Sequence, residues 1–443
     1  MTTRREFLKG STMLSAAAAA AGIAGAPKFS FGQSTGGKTF IKVFMRGGAD
    51  GLHLMPAVGD PDLVEGYYGI RPNIAIDIPN PNDGNSAIEL MSGGFRALNP
   101  NLFNLMPIWE EGNLMFSPAA AIMDANRSHF DCQRWIGLGD RRNDIDGYMN
   151  RYLTNISGTD HTLRGLVAGK DSIPAEFFGQ RVVPAIRDAE SFEIENRDFC
   201  SGDGCADNQL TDYMREISSH EVDLSAAEGM AKESQFVMLE AIDEIKAAGA
   251  DYTPNVEPPL GYTNSDLGRG LRLIAQLLKA GVPVEVASLD WNIGWDTHSN
   301  QVDINSANPV SDQNKRYNQR LVEGATNFLT FYRDMGVAMN DIVVLSGSEF
   351  GRTARENGSV GTDHGRGGVW FAFGGPTNST IGRDIPSVNE QGRGGSNWVA
   401  PVVDYKDIVS EIMVRHLGMS EGMISTIFPQ HSFTNEGYFT RVS

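Results

Sequence analysis

The sequence predicts an α/β protein: a largely parallel sheet with helices on both faces and an inserted helical and loop region at about 155–265. Two patterns point to this class. Apolar strand-like runs alternate with helical periodicity, and polar residues gather just past the ends of the runs, where ligands collect in such sheets. Composition agrees, since 443 residues at 41% hydrophobic and 21% charged supply a sizeable core. With 3 Cys the chain is no small disulfide scaffold, and 37 Lys+Arg against 55 Asp+Glu leave a charge of −18 that repels a phosphate backbone. Nucleic acid is therefore excluded as the expected partner.

The elements follow in order. Thr39 to Met45 reads as a strand broken at Arg46-Gly47-Gly48-Ala49-Asp50-Gly51, which sets Asp50 at a carboxyl end. Residues 102–112 read as a helix with Leu102, Leu105, Met106 and Trp109 on one face, ended by Gly112; a second strand begins at Leu114. Ser128 opens a helix. The less regular region from 155 to 265 holds a charged helix from about Ser225 to Ala248 and a Pro-rich stretch from Tyr252 to Pro259, the pattern of an insertion or cap. Leu267 to Lys279 is helical, Val282 to Leu289 a strand, Arg316 to Met335 a helix. Asp341 to Leu345 and Val369 to Phe373 are strands, and Tyr405 to Leu417 is a late helix. One α/β domain is expected to span 34–443.

The first residues carry an address. Arg4-Arg5 precedes Phe7-Leu8-Lys9 and a short, alanine-rich apolar run from Met13 to Ala26, weaker than the roughly 20 apolar residues of a membrane span. This is a twin-arginine leader, 1–33, with Ala24-Gly25-Ala26 as a small-residue cleavage site and Pro27 shifting the cut towards Gln33. The expected route is the twin-arginine translocase, to the periplasm or beyond. Removing Arg4, Arg5, Lys9 and Glu6, a net +2, leaves a mature body of −20. Cys200 and Cys205, in a Gly-rich loop, would close a disulfide in an oxidising compartment or serve as two metal thiolates; Cys132 is left over.

Four stations near strand ends carry the candidate chemistry: Asp50; Asp296-Thr297-His298; Ser348-Glu349; and Asp363-His364. Carboxylates and imidazoles from separate strand ends suit a divalent cation (zinc, manganese, magnesium or calcium), because the donors converge without strain in one loop. The alternative is a set of structural hydrogen bonds. Ser128 heads a helix in Arg127-Ser128-His129-Phe130-Asp131, so it is either a nucleophile favoured by the helix dipole or the cap of a Ser-x-x-Asp box. His129 reads as base, ligand or anion donor, or as packing beside Trp135.

Taken together, Gly-Gly-Ala-Asp-Gly-Leu at 47–52, Arg-Ser-His-Phe-Asp at 127–131, Gly-Trp-Asp-Thr-His-Ser-Asn-Gln at 294–301, Ser-Glu-Phe-Gly-Arg-Thr at 348–353 and Gly-Thr-Asp-His-Gly at 361–365 resemble the exported bacterial proteins classed as domain of unknown function 1501. That family in turn looks like a divergent branch of the alkaline phosphatase and sulfatase superfamily. The resemblance implies an alkaline-phosphatase-like fold and a metal-dependent hydrolase of phosphate or sulfate esters. Asp50, Asp296, His298, Glu349 and His364 would hold metal and Asp363 would support them. Ser128 would attack, with His129 beside it, and Arg127 or Arg352 would hold the anion. Asp296 and His298 are spaced by one intervening residue where the superfamily has three, and Glu349 lacks an adjacent His. The alternative is a non-catalytic periplasmic binding or assembly protein. A third reading, a binder of anionic polysaccharide, would use Trp291, Trp295, Tyr67 and Tyr68. The expected partner is an anionic small-molecule or polymer ester.

Overall fold

The computed structural model describes residues 37–58, 61–80, 82–83, 85–90, 96–142, 145–156, 161–189, 239–249, 252–312, 314–383 and 398–439, the side chains of 61–65 excepted. The leader, Cys200 and Cys205, and the first part of the charged helix expected from Ser225 lie outside these residues.

The strands are β1 (Thr39–Phe44), β2 (Ile88–Glu89), β3 (Ala97–Leu98), β4 (Leu114–Ala121), β5 (Gly165–Ala168), β6 (Ala185–Ile186), β7 (Val286–Asp290), β8 (Ile342–Gly347), β9 (Gly368–Gly374), β10 (Thr380–Ile381) and β11 (Val403–Asp404). Among the described residues nine of them form one sheet in the order β10-β4-β9-β8-β1-β7-β5-β6, with β11 also on β4; β2 and β3 pair separately. Within that sheet only β9 runs antiparallel to its neighbours, β8 and β4. The sheet is therefore largely parallel, as the alternation of elements requires.

Strand periodicity explains why both faces are covered. Along β1, Ile41 and Val43 enter one core while Phe40 and Phe44 enter the other; along β9, Val369, Phe371 and Phe373 oppose Trp370 and Ala372. Helices cover each face. On the first lie α6 (Asp266–Lys279), through Leu267, Leu271 and Ile274, and α7 (Arg316–Met335), through Leu321, Ala325 and Phe328. On the second lie α4 (His129–Leu138), α5 (Tyr148–Asn155) and α8 (Tyr405–Glu411), through Cys132, Ile136, Met149, Ile408 and Val409. Ahead of them in the chain come α1 (Gly51–Leu54), α2 (Pro61–Ile70) and α3 (Met106–Glu110).

Several boundaries differ from the sequence expectation. The helix expected over 102–112 is a 3-10 segment, Pro100–Leu105, followed by α3, because Pro107 has no N–H to donate and fits the first turn of a new helix. The strand expected from Val282 starts at Val286. The late helix turns from α to π geometry at Ile412–His416. Residues 239–249 are helical, and the Pro-rich stretch after them is tied to α7: Asp334 accepts from Tyr252 Oη, from Tyr262 Oη at 2.7 Å and from Asn255 N at 2.6 Å. Trp291, Trp295 and Tyr67 are core residues, which removes the aromatic cleft of the polysaccharide reading. Among the described residues, no helix is long and apolar enough to cross a membrane.

Candidate metal centre

One edge of the sheet receives every station. The carboxyl ends of β1, β4, β7 and β8 open there, and the reversed direction of β9 delivers the segment before Gly368 to the same edge. Glycine allows the segments to approach closely. A Cβ on Gly351 would lie 1.9 Å from Gly367 O, and one on Gly361 would lie 2.5 Å from His298 C, so the segment from 361 to 367 packs on 348–353 at one end and on 297–299 at the other, where a larger residue would force them apart.

Three imidazoles and a carboxylate meet at this edge. His364 Nε2 lies 3.0 Å from His129 Nε2, 3.0 Å from His298 Nε2 and 3.2 Å from Asp296 Oδ1. Asp296 Oδ1 is also 3.0 Å from His298 Nε2 and 3.5 Å from His129 Nε2. Ligand atoms of His129, Asp296 and His364 fall within 4.8 Å of one another. Donors around a tetrahedral zinc at its usual bond lengths stand about 3.3 Å apart, so the spacing of His129, Asp296 and His364 suits one cation of that size, with His298 beside Asp296 and His364.

Each outward nitrogen is held. His129 Nδ1 lies 2.6 Å from Glu349 Oε1, His298 Nδ1 lies 3.0 Å from Asp363 Oδ1, and His364 Nδ1 donates to Arg127 O at 2.9 Å. An imidazole that donates through Nδ1 presents a lone pair at Nε2, and this is the arrangement by which metal-ligating histidines are oriented. Two such lone pairs at 3.0 Å repel unless a proton or a metal ion stands between them. The carboxylates of Asp296, Glu349 and Asp363 also outnumber the one buried guanidinium among them, Arg352 on Asp296.

The electrostatics follow from these bonds. The hydrogen bond to Glu349 raises the basicity of His129 against the opposing effect of burial. Burial pushes the Glu349 carboxyl up, but hydrogen bonds from His129 and Gln133 hold it below the usual range. Burial likewise opposes ionisation of Asp296, and Arg352 overrides it. His364 is lowered by burial and by the neighbouring charges of His129 and Arg352.

The remaining candidates take other places. Asp50 does not join the cluster: its two oxygens accept from Arg71 at 2.8 and 2.9 Å, and Gln301 adds a bond at 2.8 Å. It connects to the site through Gln301, Thr362 and Arg352. Glu349 is buried and faces the far side of His129, accepting also from Gln133 Nε2 at 2.9 Å and Gly47 N at 2.9 Å, so it orients His129 from behind and does not join the cluster. Arg352 is buried, with Nη1 on Asp296 Oδ1 at 2.6 Å and the rest of its fork on Thr362, so its guanidinium is committed within the protein and does not face a substrate anion. Ser128 caps α4, accepting from Asp131 N at 3.4 Å. Arg127 is exposed, holds a positive φ of 66° and lies over Trp398 with its guanidinium 4.7 Å from the ring centre.

Arg71, Gln133 and Gln301 were not singled out by sequence reasoning. Gln133 had a usable signal, because it stands four residues after His129 on one helix face. Arg71 had none, being far from any motif in the chain.

Comparison with curated proteins and with solved structures finds no match. A family model does match, and it covers the Asp296, Glu349 and His364 stations. Over residues 212–419 the chain matches the model of the family described as protein of unknown function, DUF1501.

Proposed function

We propose that this chain is an exported, metal-dependent hydrolase of phosphate or sulfate esters, related at a distance to the alkaline phosphatases and sulfatases. The observation that carries the reading is the meeting of His129, His364 and Asp296 through Nε2 and Oδ1 atoms 3.0–3.5 Å apart, with His298 Nε2 3.0 Å from both His364 and Asp296 and each imidazole braced from behind. A bound divalent cation would supply Lewis-acid polarisation of an ester oxygen and a positive landing point for an anion on a strongly acidic body.

The chain's own groups divide the work. Glu349, Asp363 and the Arg127 carbonyl fix the three rings, and Arg352 holds Asp296 in place while Arg127 offers the exposed guanidinium for the substrate's charge. Ser128 stands at the amino end of α4 beside His129, where the helix dipole favours an anion. Its hydroxyl is engaged as a cap, and that observation favours the second reading, a binding protein that keeps the site without turnover.

The experiment is hydrolysis of aryl phosphate and aryl sulfate by the purified chain, with and without chelator, for the wild type and Ser128→Ala. Chelator-sensitive turnover is expected. Loss of turnover in Ser128→Ala assigns attack to this hydroxyl, and retention assigns it to water. A chain that binds metal and hydrolyses neither ester class supports the binding protein instead.

A further inference from the structure

The four donors are not held equally. His129 rides on the first turn of α4 and is braced by Glu349, whose side chain is 0% exposed and has three other hydrogen-bond donors. His364 is fixed by its bond to Arg127 O and by an isolated antiparallel bridge between its own backbone and that of Arg352. Asp296 is pinned by the buried Arg352. His298 differs in its brace: it shares a loop with Asp296 and is about as exposed, 46% against 44%, but the group behind it is Asp363, itself 57% exposed. A hydrogen bond between two solvent-facing groups competes with water and holds a ring far less firmly than one to a buried carboxylate. The loop backbone is tied down, with His298 O accepting from Asn357 Nδ2 at 2.9 Å, so the freedom belongs to the side chain.

We propose that His129, Asp296 and His364 are the permanent ligands of the cation, and that His298 is an exchangeable fourth donor that gives up its position to an oxyanion such as phosphate or sulfate. This rests on the metal centre of the preceding section and adds its regulation: the site is closed at rest and opens a coordination position only for an anionic ligand. A site with four protein donors is typical of structural metal and one with three of catalytic metal; a displaceable His298 lets one site pass between the two.

The test uses the full chain stripped of metal and reloaded with Co²⁺ as the probe. Cobalt per chain is measured by elemental analysis, affinity by competition with a chelator, and coordination by visible absorption before and after adding inorganic phosphate. His298→Ala is expected to keep its cobalt with affinity lowered by no more than about tenfold, whereas His129→Ala and His364→Ala fall beyond roughly 100-fold. Phosphate is expected to change the wild-type spectrum and to bind His298→Ala several-fold more tightly. His298→Asn, with circular dichroism alongside, guards against a folding defect. The proposal is overturned if both His298 variants lose cobalt as completely as His364→Ala while folded, or if saturating phosphate leaves the wild-type spectrum unchanged. Wild-type chain that takes up no cobalt overturns the metal centre and this proposal together. A chain that exchanges His298 for phosphate yet leaves aryl esters intact supports the proposal and overturns only the hydrolase reading.

Discussion

Glu349 shows how a side chain can matter to a site it does not enter. Its carboxylate is buried, ionised and aimed at the back of His129, so Glu349→Gln is expected to weaken metal binding about 10- to 100-fold with the fold intact, measured by chelator competition. Asp50 has a different task. Both its oxygens meet Arg71 in the core, and Asp50→Asn would leave that guanidinium uncompensated at a cost of about 3–5 kcal/mol, while metal per chain stays unchanged. Urea denaturation and elemental analysis on the same preparation separate the two effects; loss of metal without loss of stability would return Asp50 to the ligand set. Ser128→Ala removes an N-cap and is expected to cost about 1 kcal/mol in the same denaturation. That Asp296, His298 and His364 would stand near one another at strand ends was legible in the sequence, because motif and strand end coincide there. Sequence alone misplaced Asp50 because the deciding partner, Arg71, is a feature of packing with no local pattern.

Among the elements, β9 does most to build the site. It enters the parallel sheet in reverse, and that brings His364 to the edge where β1, β7 and β8 end. The strand itself was legible from its apolar run, but its direction was not, since periodicity is the same read either way. The span of α7 was fully legible from its 3.6-residue apolar stripe and the glycine after Met335. By contrast, the exact start of β7 depends on pairing with β1 and β5, which local composition does not encode. Phe328, fully buried between α7 and the sheet and edge-on to Phe371 and Phe373, joins helix and strand. Phe328→Ala is expected to lower stability by about 3–5 kcal/mol, read from the urea midpoint, and a change below about 1 kcal/mol would contradict this packing.

For the whole molecule, acidity acts through buried histidines. His53 and His416 are both lowered by burial from the ordinary 6.5 to about 4. The unfolded chain therefore binds protons that the folded chain refuses, so stability is full above pH 6.5 and is lost as pH falls from there through about 4, on the order of 3 kcal/mol for each group. Urea midpoints measured at about pH 7, 6 and 5 should fall steadily, and His416→Gln, which has no imidazole to titrate, should make the decline shallower. The net charge of −18 sets the larger question, because an acidic body attracts an anionic ester only through a local cation. Metal content tests that most directly. Elemental analysis of the chain purified without chelator is predicted to find one divalent cation per chain, absent from His364→Ala; a folded wild-type chain that stays metal-free after addition of zinc, manganese, magnesium and calcium in turn would contradict the account.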